Sequence, residues 1–97
     1  MHIPEMKSIP EIAYDSLMAR ISDFQRRLAD DEELGVVAYA GASILHVESV
    51  SRDGHMISFD GSDDQDRYSR IIQHYSQVAV QLVAVPKLRK EARRIGF

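Results

Sequence analysis

The side chains best suited to chemistry in this 97-residue chain are amides and guanidiniums, not nucleophiles. Gln73 and Gln77 stand four apart with His74 between them, and Arg89 and Arg93 stand four apart in a basic C-terminal stretch. If both stretches are helical, each pair projects from one face. Two arginines so placed offer bidentate donors to a diphosphate, and two glutamines offer donor and acceptor pairs to a ribose or a base edge. Tyr39, Phe59, Tyr68 or Phe97 can supply a ring for a purine to stack on. Gln73, His74, Gln77, Arg89 and Arg93 are therefore the candidate ligand-binding residues. Each also has an ordinary reading: glutamines paired across an interface, aromatics in the core, arginines lying on an acidic surface.

Other chemistries find less support. With no cysteine, disulfides, thiolate metal sites and cysteine nucleophiles are excluded. Four histidines, His2, His46, His55 and His74, raise the question of a metal. His55 lies too far along its hairpin from His46 and Glu48 to share a coordination shell with them, and no second histidine stands at helical spacing from His74. No metal and no cofactor are expected. There is no nucleophile elbow, no convincing Ser/His/Asp order and no glycine-rich phosphate loop, so the chain is not expected to be an enzyme.

Charge is unevenly spread. Lys87 to Phe97 carries a local balance of +4, leaving −7 on Met1 to Pro86 out of a total of −3. An acidic body argues against general nucleic-acid binding. The basic tail meets either a phosphate-bearing ligand or an acidic patch of its own or a sister chain. No stretch is long and apolar enough to suggest a transmembrane helix, and no signal-peptide core follows Met1. The expected location is the cytoplasm, that of a bacterial host if the protein is phage-encoded.

The elements that must position these residues follow from periodicity. Ser8 with Glu11 is a capping-box pattern, and Tyr14, Leu17, Ile21, Phe24 and Leu28 repeat at 3, 4, 3, 4, which predicts an amphipathic helix. From Leu34 to Asp60 the period becomes strand-like. Val36–Tyr39, Ile44–Val50 and His55–Asp60 read as a three-stranded antiparallel meander. Asp53-Gly54 reads as a type I′ turn that sets Arg52 opposite His55, Val50 opposite Ile57 and Glu48 opposite Phe59. Ser62 with Gln65 repeats the capping pattern, and Tyr68, Ile71, Tyr75, Val78 and Leu82 repeat at helical spacing, predicting a second long helix that Pro86 ends. The expected fold is thus α+β over a single domain, residues 1–97: helix, three-stranded meander, second long helix, short basic tail. Past Arg70 the second helix would carry no formal charge, only Gln73, His74, Ser76, Gln77 and Gln81. An uncharged polar face of that kind suits burial in a homodimer or a higher symmetric oligomer.

Ile71-Ile72-Gln73-His74-Tyr75-Ser76-Gln77, Leu82-Val83-Ala84-Val85-Pro86 and Ala92-Arg93-Arg94-Ile95-Gly96-Phe97 together resemble a small bacterial and phage domain family of unknown function. That family is marked by an Ile-Gln-His-x-x-Gln helix and a terminal Arg-Ile-Gly-Phe, with Phe59-Asp60-Gly61 as a further match. More loosely, the element order is similar to that of the phage Thoeris anti-defence sponges, oligomeric proteins that sequester cyclic ADP-ribose isomers made by bacterial immune enzymes. The resemblance implies a non-catalytic oligomeric protein that holds a phosphate-bearing cyclic nucleotide signal. The competing expectation is a structural or protein-interaction module with no small-molecule ligand.

Overall fold

A computed structural model describes residues 6–87. The first helix, α1 (Ile9–Arg26), begins where the capping pattern places it: the Ser8 hydroxyl accepts the Glu11 backbone N–H and donates to the Glu11 carboxylate. Of its apolar seam only Ile21 is fully buried, with Tyr14, Leu17 and Phe24 packed around it.

Five strands follow: β1 (Glu32–Ala40), β2 (Ser43–Asp53), β3 (Met56–Asp63), β4 (Tyr68–His74) and β5 (Val80–Pro86). They form one antiparallel sheet in the order β4-β3-β2-β1-β5, and a single 3₁₀ turn, η1 (Tyr75–Gln77), links β4 to β5. The second long helix does not exist, and the three-stranded meander is the middle of a five-stranded sheet. The Ile-Gln-His-x-x-Gln stretch is strand followed by 3₁₀ turn. Ser62 caps nothing; it pairs with Tyr68 in the β3–β4 ladder. Asp63 caps the connecting turn instead, accepting the backbone N–H groups of Gln65 and Arg67. The physical reason is composition. Ile71, Ile72, Val78, Val80, Val83 and Val85 are β-branched and favour extended backbone. Two short strands with a three-residue turn between them happen to space their apolar residues like a helix.

The β2–β3 hairpin turns one residue later than Asp53-Gly54 predicts. Its turn residues are Gly54 and His55, with Asp53 opposite Met56, Arg52 opposite Ile57 and Val50 opposite Phe59. Gly54 has φ +58° whereas His55 is not in the left-handed region, the type II′ pattern. Further along, the register slips between Val47 and Ser49, leaving Glu48 as an extra, bulged residue. The bulge switches which side chains point inward: Leu45 and Val47 before it, Val50 after it. Opposite the bulge sits Gly61, where any Cβ would collide with the carbonyl oxygen of His46.

The bulge helps the sheet to curl, and the connectivity requires it. In a flat sheet β4 and β5 would be four strand spacings apart, about 19 Å. The 75–79 connection, with a 3₁₀ turn rising about 2 Å per residue, spans roughly 16 Å. β4 accordingly approaches β1: Gln73 Nε2 donates to Tyr39 O at 2.9 Å, beside the Tyr39 N–H to Ala79 O bond at 2.9 Å that continues the β1–β5 pairing. Inside this partly closed barrel lie Leu34, Val36, Ala38, Leu45, Val47, Ile57 and Phe59, covered by Ile21 of α1. Among the described residues no helix is long and apolar enough to cross a membrane.

Candidate functional site

Three of the five sequence-derived residues meet at the corner where β4 passes into η1. Gln73 is half-buried on the inward side of β4, its amide held by Tyr39 O, and its own carbonyl oxygen Oε1 is buried without a hydrogen-bond partner. The amide orientation is fixed by this contact, because the reverse would set two carbonyl-type oxygens against each other. His74 precedes η1 and caps it. Its Nδ1 accepts the Ser76 backbone N–H, and the Ser76 hydroxyl lies 2.7 Å from the same nitrogen. The cap assigns the ring proton to Nε2. Gln77 ends η1 fully exposed. The two glutamines therefore do not share a helical face; one closes the barrel and the other faces solvent.

The sequence reading missed two partners of this corner. His55, the second residue of the hairpin turn, stacks on His74 with ring centroids 5.9 Å apart and planes within 7°. Tyr75 lies 4.5 Å from His74 and 6.2 Å from His55, and its backbone N–H donates to His55 O at 2.9 Å. Because Met56 pairs with His74, the turn that precedes Met56 necessarily lies beside the turn that follows His74. The signal was present in Gly54-His55, which a type I′ reading hid by one residue. Arg52 fastens the turn from behind, its guanidinium donating to Gly54 O at 2.7 Å. Tyr39 completes the neighbourhood, donating its hydroxyl to Gln81 Oε1 at 2.7 Å.

Chemically, this corner offers three tilted or stacked rings, a covered carbonyl acceptor and an imidazole N–H donor. Rings so arranged can stack on a further flat ring. The Ser76–His74 contact caps the turn, with Nδ1 shared between the Ser76 hydroxyl and the Ser76 backbone N–H. His46 lies elsewhere, on the outer face of β2, 3.5 Å from an Asp64 carboxylate oxygen. His2 lies outside the described residues. Among the described residues no group of three or more His, Asp or Glu converges as a metal site would require.

Arg89 and Arg93 also lie outside the described residues, but the place where the chain reaches them is fixed. Pro86 pairs with Glu32, and Lys87 is tied to the residues before β1, its N–H to Asp31 O and its Nζ to Asp30 O, both at 2.8 Å. Tyr39 stands at the other end of β1, about 23 Å away along the strand. Compared with models of protein families, with curated proteins and with solved structures, the chain finds no match.

Proposed function

We propose that this chain is a non-catalytic, self-assembling binding protein that captures a nucleotide through its base at the corner formed by Gln73, His74, Tyr75, Gln77 and His55. The observation that carries the reading is the buried Gln73 carbonyl oxygen, left without a donor among the described residues, one position before His74, whose ring lies against those of His55 and Tyr75. Unpartnered buried acceptors are uncommon, and the imide N–H or exocyclic amine of a base is the kind of donor this one lacks. The oxygen is covered in the free chain, so capture requires η1 to shift from the hairpin, to which the Tyr75 N–H holds it. Self-assembly is supported by the sheet itself. Among the described residues β4 and β5 each leave one edge unpaired, and β4 exposes Tyr68 and Ile72. Opposite edges of one antiparallel sheet can join head to tail between copies. Sequestration of a cyclic nucleotide signal is the specific form of this proposal; the helix–sheet–helix order behind the likeness to anti-defence sponges is not the observed one, so this form rests on the Gln73 corner alone.

Thermal unfolding against nucleosides, cyclic di- and trinucleotides and cyclic ADP-ribose isomers tests it. A ligand at about 100 times its dissociation constant adds about 2.7 kcal/mol to stability, so a selective, concentration-dependent rise in midpoint is expected. His55→Ala, which removes one exposed ring and leaves the Gly54 turn intact, should abolish most of that rise, and the ligand should be recovered unaltered. A flat response across the panel would favour a protein-interaction module instead.

A further inference from the structure

A concavity of about 320 Å³ lies on the outer face of the sheet, away from the corner. Its floor is Val37 of β1 with Val83 and Val85 of β5, and its polar positions are Glu33, His46 and Glu48. The pairings of Val37 with His46, Gly35 with Val83 and Glu33 with Val85 put these side chains on one face. Gly35 keeps the centre low, since a Cβ there would already press on Val85. The Glu33 oxygen Oε2 is buried and has no hydrogen-bond partner among the described residues. A buried carboxylate oxygen without a donor is costly, and a guanidinium or ammonium is the partner that satisfies it best. The groove thus asks for a cationic head on an apolar body. Its volume is at the lower limit for a ligand pocket, which suits a few side chains better than a folded partner.

We infer that this groove is the docking site of the chain's own basic segment, residues 88–97. Three observations converge on that occupant. The chain leaves the sheet two residues after Val85, a floor residue of the groove, with Lys87 bonded to the Asp30 and Asp31 carbonyls. Ten further residues reach about 33 Å at full stretch, whereas the far wall at His46 lies roughly 22 Å from Lys87. The segment carries Arg89, Lys90, Arg93 and Arg94 against one acid, together with Leu88, Ile95 and Phe97, which complements Glu33, Glu48 and the valine floor in both charge and polarity. The arginines then neutralise the groove beside their exit instead of reaching the distant corner. The inference is independent of the nucleotide reading.

The absence of native cysteine makes the test direct. In the full chain, the pair His46→Cys and Gly96→Cys should form an intrachain disulfide under mild oxidation about tenfold faster than the control pair Tyr68→Cys and Gly96→Cys, because docking raises effective concentration at the groove. Added Glu33→Gln, or 1 M NaCl where that substitution impairs folding, should remove the advantage. Equal rates for the two pairs, or a disulfide that forms only between chains, would overturn the inference.

Discussion

The side-chain amide of Gln73 on β4 donates to the main-chain carbonyl of Tyr39 on β1 across 2.9 Å, joining two strands that share no ladder. This contact helps to hold the curled sheet closed, and it uses one half of an amide whose other half is unpartnered. Two substitutions separate the halves.

Gln73→Leu removes both, so the lost bond is partly offset by removing the orphaned oxygen; a net loss of about 1 kcal/mol is expected in denaturant unfolding. Gln73→Glu should lose more at neutral pH, where a carboxylate would face the Tyr39 carbonyl with no donor. The folded-state pKa of that glutamate would be raised, so its penalty is fully present well above neutrality and relaxes as pH falls through the folded value. Stability of Gln73→Glu relative to the parent, measured from pH 8 down to pH 5, should therefore rise toward acid. A pH-independent difference would show that the Tyr39 contact has no energetic role.

Two glycines should respond differently to the same added methyl. At Gly61 a Cβ meets the His46 carbonyl, main chain that the bulge at Glu48 presses against β3, so Gly61→Ala should cost several kcal/mol and prevent a cooperative fold. At Gly54 nothing lies within 4 Å of the added atom and only the positive φ resists, so Gly54→Ala should cost about 1–2 kcal/mol and leave the fold intact. Circular dichroism with urea titration distinguishes the two; comparable losses would mean that the bulge is not pinned by Gly61.

How much of this was readable in the sequence depends on whether local rules and tertiary context agreed. At α1 they did: Ser8, Glu11 and the seam through Ile21 gave start and face. In β1 to β3 the strands were legible from alternation, yet their inner face was not, because the Glu48 bulge shifts the alternation midway and the Gly54-His55 turn is offset by one residue. From Ser62 onward helical spacing competed with β-branched composition, and burial in the barrel decided for composition. The site followed the same division. Periodicity sets Gln73 and Gln77 on a shared helical face that does not exist, yet Gln73, His74 and Gln77 still fall at one corner because a short η1 keeps neighbours in sequence close in space. His55 and Tyr75 needed the register, which periodicity does not carry.

Acid should weaken the fold through two specific carboxylates. Asp60 faces Arg70 directly across β3 and β4, and the guanidinium's hydrogen bond holds its carboxyl below the usual range. Asp63 is lowered in the same direction, chiefly by the Arg67 backbone N–H and also by that of Gln65. Folded values below unfolded ones mean stability that is present above the ordinary carboxylate range near pH 4 and lost as pH falls through the lowered values. Unfolding free energy measured from pH 6 to pH 2 should fall on that limb, and Asp60→Asn should flatten it. An unchanged acid limb in the variant would place the sensitivity in other carboxylates.

Self-assembly is tested at β4, the strand with an open edge and exposed apolar side chains. Tyr68 is 73% and Ile72 55% exposed there, whereas Ile71, an inward position between them, packs against the core. Natural edge strands that stay unpaired usually carry charge or proline to discourage addition of another strand, and β4 has only Arg70, which is engaged with Asp60. Ile72→Lys supplies the missing charge without touching the interior. If copies join through this edge, sedimentation velocity should show the parent as an oligomer and Ile72→Lys as a monomer with little change in intrinsic fold, because the side chain is not part of the core. A variant that keeps the parent's oligomeric state would exclude the β4 edge, and a parent that is monomeric at all concentrations would remove assembly from the proposed function altogether, leaving the Gln73 corner to act alone.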